Sequence, residues 1–237
     1  MAVWGDDALT QHLDKVHSNQ RTHYARFPLA YRHIAQVDNC FERAGKNLTN
    51  VSPVMAGNFL LRCFYAYRTA AGMALAGQVV ETFAMLRSTL EWAGYCLAIC
   101  ETPALEAVWI DRHASAADMT AQKKTFLVSN IRGCIARHDV KLASIFDDLY
   151  QRAIDFGGHP NPQATFSAMT LEDRGDGETA LTTLATSGDP TAVGHALKST
   201  AQVGLTALYI LQHGFKAKFE LLGIRQDIET MRKSGAF

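Results

Sequence analysis

Residues 191–215 read TAVGHALKSTAQVGLTALYILQHGF, and this stretch decides the fold class. Val193, Leu197, Val203, Leu205, Leu208, Ile210 and Leu211 follow a helical rhythm. His195, Ser199, Gln202, Thr206, Tyr209 and His213 fall at steps of three and four along one edge. Between Thr191 and Phe215 only Lys198 carries a full charge, whereas a solvated helix face is normally charged. The stretch predicts a helix inside the fold, with its polar edge lining a cavity or an interface. Gly194, Ala201, Gly204 and Ala207 would also let another helix approach closely, so self-association through this helix is a further reading.

Working outward, Asp6 to Gln20 and Leu29 to Lys46 read as helices on either side of Pro28. Ser52-Pro53 is a helix start, with serine as cap and proline in the first turn, and the pattern runs to about Leu75. Gly77 marks a turn, and an apolar helix from Gln78 to Cys100 ends at Thr102-Pro103. Ala104 to Ala114, Ala116 to Arg137 and Lys141 to Phe156 predict three more helices, the last closed by Gly157-Gly158 and Pro160. Residues 164–186 contain two short runs around Arg174-Gly175-Asp176-Gly177, a hairpin signal with Asp-Gly as the turn. A long helix over 190–222, started by Asp189-Pro190, and a tail helix over 225–233 complete the chain.

The expectation is an all-α fold: one domain, a bundle of seven or eight helices with a short β-hairpin at 164–186. Its parts are N-terminal helices over 1–50, a central bundle over 53–158, the hairpin and the two C-terminal helices. At 237 residues and 48% apolar composition the chain can bury a substantial core. Lys plus Arg and Asp plus Glu each number 23, so no overall field attracts nucleic acid or an anionic membrane. The N-terminus lacks a basic region followed by an apolar run, and no charge-free run reaches a membrane span, so a cytoplasmic protein without membrane partners is expected. The five cysteines lie mostly in apolar helical stretches and read as buried thiols in a reducing compartment.

Within the helix from Gln78 to Cys100, Arg87, Glu91 and Tyr95 follow at steps of four and share a face. The plain reading is an ion pair that lets an apolar helix be buried. The functional reading is a site for a small polar or anionic ligand, Arg87 binding a carboxylate or phosphate and Glu91 orienting it. Asn58, Arg62 and Tyr65 form a similar line on the preceding helix and could face it. Downstream, Tyr150 leads into Gly157-Gly158-His159-Pro160, where an imidazole could serve in proton transfer or simply cap the helix end. Tyr150 and the edge residues His195, Ser199, Gln202, Tyr209 and His213 join Arg62, Arg87, Glu91 and Tyr95 as candidate ligand contacts.

No metal site is expected: the cysteines have no zinc spacing, and no Glu-x-x-His pair of the di-iron type occurs. Phosphate loops, dinucleotide-binding glycine patterns and nucleophile elbows are also missing, so no cofactor is expected. Whether the chain is an enzyme stays open.

Arg87-Ser88-Thr89-Leu90-Glu91 in an apolar helix, Tyr150 leading to His159-Pro160, and a long final helix resemble a group of bacterial helical proteins without an established activity. More broadly, Arg152 and His159, with six residues between them, resemble the HEPN superfamily, whose helical bundles place an arginine and, four to six residues further on, a histidine in an RNase site across a dimer cleft. Arg26 with His33 and Arg132 with His138 have comparable spacing, but only Arg152 with His159 stands at a helix end. That resemblance implies metal-independent RNA cleavage, with His159 in proton transfer and Arg152 stabilising phosphate charge. RNA is a partner only on that alternative; otherwise the partner is a small polar or anionic ligand, or a second copy of the chain.

Overall fold

Two long apolar helices, α3 (Val54–Ala76) and α4 (Val79–Glu101), are separated only by Gly77 and Gln78 and fold back on one another. The Cys63 thiol donates to the Thr89 carbonyl at 3.3 Å and the Cys96 thiol to the Ala56 carbonyl at 3.1 Å. Both pairs are centred on the same turn, as an antiparallel hairpin of helices requires. Gly77 makes that turn with φ 77°, and an added Cβ would stand 2.3 Å from the Ser187 carbonyl oxygen. Only glycine meets both demands.

The computed structural model describes residues 5–158, 162–175 and 177–234. The fold is all-α with one short hairpin, and the described residues form twelve α-helices rather than seven or eight. The others are α1 (Ala8–Arg26), α2 (Pro28–Lys46), α5 (Leu105–Ile110), α6 (Ala116–Thr125), α7 (Val128–His138), α8 (Val140–Ala153), α9 (Pro162–Ser167), α10 (Pro190–Gly214), α11 (Lys216–Leu221) and α12 (Ile224–Lys233). A 3₁₀ turn at Asp111–His113 follows α5, and a π-turn at Ile154–Gly158 follows α8.

Two breaks account for most of the difference in number. The expected helix from Ala116 to Arg137 divides at Phe126, which turns into the core, while the Asn130 amide takes the Lys124 and Thr125 carbonyls at the end of α6. The expected helix over 190–222 divides at Phe215, so that Phe219 on α11 is buried as well. Lys218 fixes α11 by donating to the carbonyls of Asn47 and Thr49. The Ser52 cap does not form either: Pro53 occupies the cap position, after a cis peptide bond, and Glu106 of α5 accepts from the Met55 N–H at 2.7 Å. A side chain brought by tertiary structure takes the donor that the local serine was expected to take.

α10 packs on α2, α3, α4 and α8, with Asp189 capping it through the Thr191 and Ala192 N–H groups. Its small residues are used within the chain. A Cβ on Gly204 would stand 2.3 Å from the Tyr67 ring and 2.7 Å from Val37, and Ala201 and Ala207 are buried. One buried cluster runs from Ile34 on α2 to Met231 on α12, including Phe41, Phe59, Phe83, Leu90, Phe146 and Phe219. Each such side chain contributes about 1.5–3 kcal/mol of apolar burial before conformational entropy is charged against it.

The hairpin pairs β1 (Met169–Gly175) with β2 (Glu178–Thr183), antiparallel, with Leu171 opposite Leu181. Gly175 and Gly177 have φ 82°, and Asp176 between them lies outside the described residues. Both strands are exposed over nearly their whole length. Among the described residues no helix is long and apolar enough to cross a membrane.

Candidate functional site

The helical step of four puts Arg87, Glu91 and Tyr95 on the side of α4 that meets α7 and α8. Tyr150 reaches in from α8 and completes the cluster. Arg87 Nε donates to Glu91 Oε1 at 3.0 Å and to the Tyr150 hydroxyl at 3.2 Å, and that hydroxyl donates to the same Glu91 Oε1 at 2.8 Å. The guanidinium carbon lies 5.6 Å from the centre of the Tyr150 ring. No described residue donates to Glu91 Oε2, and this oxygen is not sealed from solvent.

These groups line a pocket of about 250 Å³ whose other walls are Phe126, Leu127, Val128, Ile131 and Phe146. Arg87 and Glu91 side chains retain 25% and 28% of their exposure, so the pair is half-buried and reachable. Burial works against the Arg87 charge, but Glu91 and the Tyr150 hydroxyl outweigh it and raise its pKa. Burial, followed by the hydrogen bond to Glu91, pushes Tyr150 up to about 12; burial and the Glu91 charge push Tyr95 up to about 12. Both phenols therefore stay protonated near neutral pH, and Tyr150 donates to Glu91.

The order of the pair on the helix is informative. Placing the acid N-terminal to the base at this spacing suits the helix dipole, and α4 has the reverse. Helix stability alone does not favour Arg87 before Glu91. In this arrangement one oxygen of the carboxylate is held by Arg87 and Tyr150, and the other accepts from no described residue.

The remaining sequence-predicted residues are distributed over other places. Arg62 lies exposed on α3 with its guanidinium 5.8 Å from the Trp92 ring, away from the pocket; Asn58 and Tyr65 are exposed too. None of the α10 edge residues lines the Arg87 pocket. His195 packs between the Phe83 and Phe156 rings, with centroids 5.5 Å and 5.1 Å away. Ser199 is buried, and its hydroxyl has no partner among the described residues. Gln202 accepts from Arg152 Nη1 at 2.9 Å, and both line a groove with Thr206 between α8 and α10. Tyr209 donates to Glu229 Oε1 at 3.1 Å, and His213 stacks on His138 with centroids 4.6 Å apart. His159 and Pro160 lie outside the described residues, so the geometry between Arg152 and His159 does too.

The edge is divided because α10 is wrapped by several helices, and successive turns of one narrow strip meet different neighbours. Sequence reading missed Phe126, Ile131 and Phe146 as pocket walls. For Phe146 a signal existed, since it precedes Tyr150 by one helical turn and the two rings stack at 5.7 Å. Among the described residues no three His, Cys, Asp or Glu side chains are grouped closely enough to hold a metal ion. Compared with protein-family models, with curated proteins and with solved structures, the chain matches none of them.

Proposed function

We propose that the pocket between α4, α7 and α8 binds a small molecule with a hydrogen-donating polar end, an amine or hydroxyl, and a compact apolar body. The observation that carries this reading is the Glu91 carboxylate, held on Oε1 by Arg87 and Tyr150 while Oε2 takes no hydrogen bond from a described residue. A ligand donor reaching this solvent-accessible oxygen would make a charge-assisted hydrogen bond to it. Tyr95 adds a phenol, and the apolar walls fit the ligand body. The five cysteines are free and four are buried, which supports a reducing, cytosolic location for this binding protein.

Benzylamine and benzoate, alike in size and opposite in charge, test the reading by amide NMR. Benzylamine is expected to shift resonances of α4, α7 and α8, and Glu91→Gln to weaken that response by about tenfold, the scale of one charge-assisted hydrogen bond. Preference for benzoate, or an equal response from the variant, would overturn it.

A further inference from the structure

A second pocket, of about 380 Å³, opens at the far end of α10 and is lined by His138, Gln212, His213, Lys216, Arg225 and Glu229, with Phe219 at its base. It shares no residue with the Arg87 pocket. The carboxylates near it are already engaged. Glu229 accepts from Tyr209 on Oε1 and from Arg232 on Oε2 at 2.8 Å. Glu101, at the end of α4, accepts from Arg137, His138 and the Cys134 thiol. Asp139 caps α8 through the Lys141 and Leu142 N–H groups.

The cations that line the pocket are held far more loosely. Lys216 makes no ion pair with a described residue, and Arg225 meets only the exposed Glu220, at 3.6 Å. His213 has no hydrogen bond to a described residue and lies face to face with His138. Arg232 and Arg137 pair with Glu229 and Glu101 from outside the pocket, so among the lining residues Lys216 and Arg225 face a single carboxylate, Glu229, that is already matched.

We propose that this pocket is an anion site for a phosphate group, with Lys216 and Arg225 supplying charge and His213 a ring N–H. The volume exceeds that of phosphate alone, and Gln212 and Phe219 give room for an organic body. The groups that face His213 are Glu101 from α4, His138 from α7, Asp139 before α8, Lys216 from α11, and Arg225 and Glu229 from α12. Burial, then the neighbouring His138, holds the His213 pKa below 6.5, with Lys216 adding to the effect and Asp139 and Glu101 opposing it. A phosphate dianion reverses this balance, so binding draws a proton onto His213.

The test is a titration of the histidine ring protons by NMR with inorganic phosphate, phenyl phosphate and, at matched ionic strength, sodium chloride. Phosphate is expected to shift His138 and His213 and to raise the titration midpoint of His213. The double variant Lys216→Gln/Arg225→Gln is expected to lose about tenfold or more in phosphate affinity. Both side chains are exposed, so its thermal unfolding without ligand should match the wild type. Tighter binding of phenyl phosphate assigns the site to a phosphate monoester, and equal binding assigns it to free phosphate; either supports the proposal. Equal shifts with chloride, or unchanged affinity in the double variant, would overturn it.

Discussion

At the scale of single residues, neutral histidine inside an apolar contact has the clearest consequence. Burial, followed by the charges of Arg152 and Lys198, holds the His195 pKa below 6.5, and His213 and His33 are lowered as well, chiefly by burial. For a group whose folded-state pKa is depressed, the unfolded chain takes up the proton first as pH falls. The stability these histidines contribute is therefore complete above pH 6.5 and is lost as the pH falls through their lower folded-state values. Urea unfolding in a phosphate-free buffer should show a midpoint that declines across this window. His195→Gln, which cannot charge, should flatten the decline, and an identical slope in the variant would remove His195 from the account. The Arg87–Glu91 pair was legible in the sequence because its spacing is local to one helix. Tyr150 was legible only as a residue type, since its hydroxyl meets Glu91 across a separation of 59 positions.

At the scale of elements, the polar first helix shows why helix boundaries were less legible than helix existence. Sequence reading ends it at Gln20, yet α1 runs to Arg26. Asn19, Gln20 and His23 donate to the carbonyls of Ala76, Gly72 and Leu75 at the end of α3, and those of Leu75 and Ala76 have no partner within the helix. α1 thus caps α3 from the side, and its own length follows from that contact. Gln20→Ala should cost about 1 kcal/mol of stability, the usual size of one such bond, with the loss concentrated in faster amide exchange along α1 and the end of α3. Unchanged exchange at Leu75 and Ala76 would show that α1 packs without capping. The breaks at Phe126 and Phe215 belong to the same lesson: each phenylalanine continues a helical pattern in sequence and turns the chain because the core lies to one side.

At the scale of the whole molecule, the buried cluster from α2 to α12 and the exposed hairpin behave as separate contributions. β1 and β2 bury almost nothing, and the chain ends that carry them are already joined by the Leu184 N–H to the Ala168 carbonyl at 2.9 Å. Removing 169–183 and linking Ala168 to Leu184 should change unfolding stability by no more than about 1 kcal/mol, as judged by denaturant melts. A larger loss would mean that the hairpin is part of the cooperative unit. The sequence by itself determined the helical class, the α3–α4 turn at Gly77, the hairpin and the shared face of Arg87, Glu91 and Tyr95, because periodicity and turn chemistry are set by near neighbours. Only the tertiary structure decided that the polar edge of α10 is parted among several neighbours, that Tyr150 joins Glu91, and that His138 meets His213. Those contacts depend on how each helix is rotated and placed, and that is set by close packing among distant segments rather than by any local pattern.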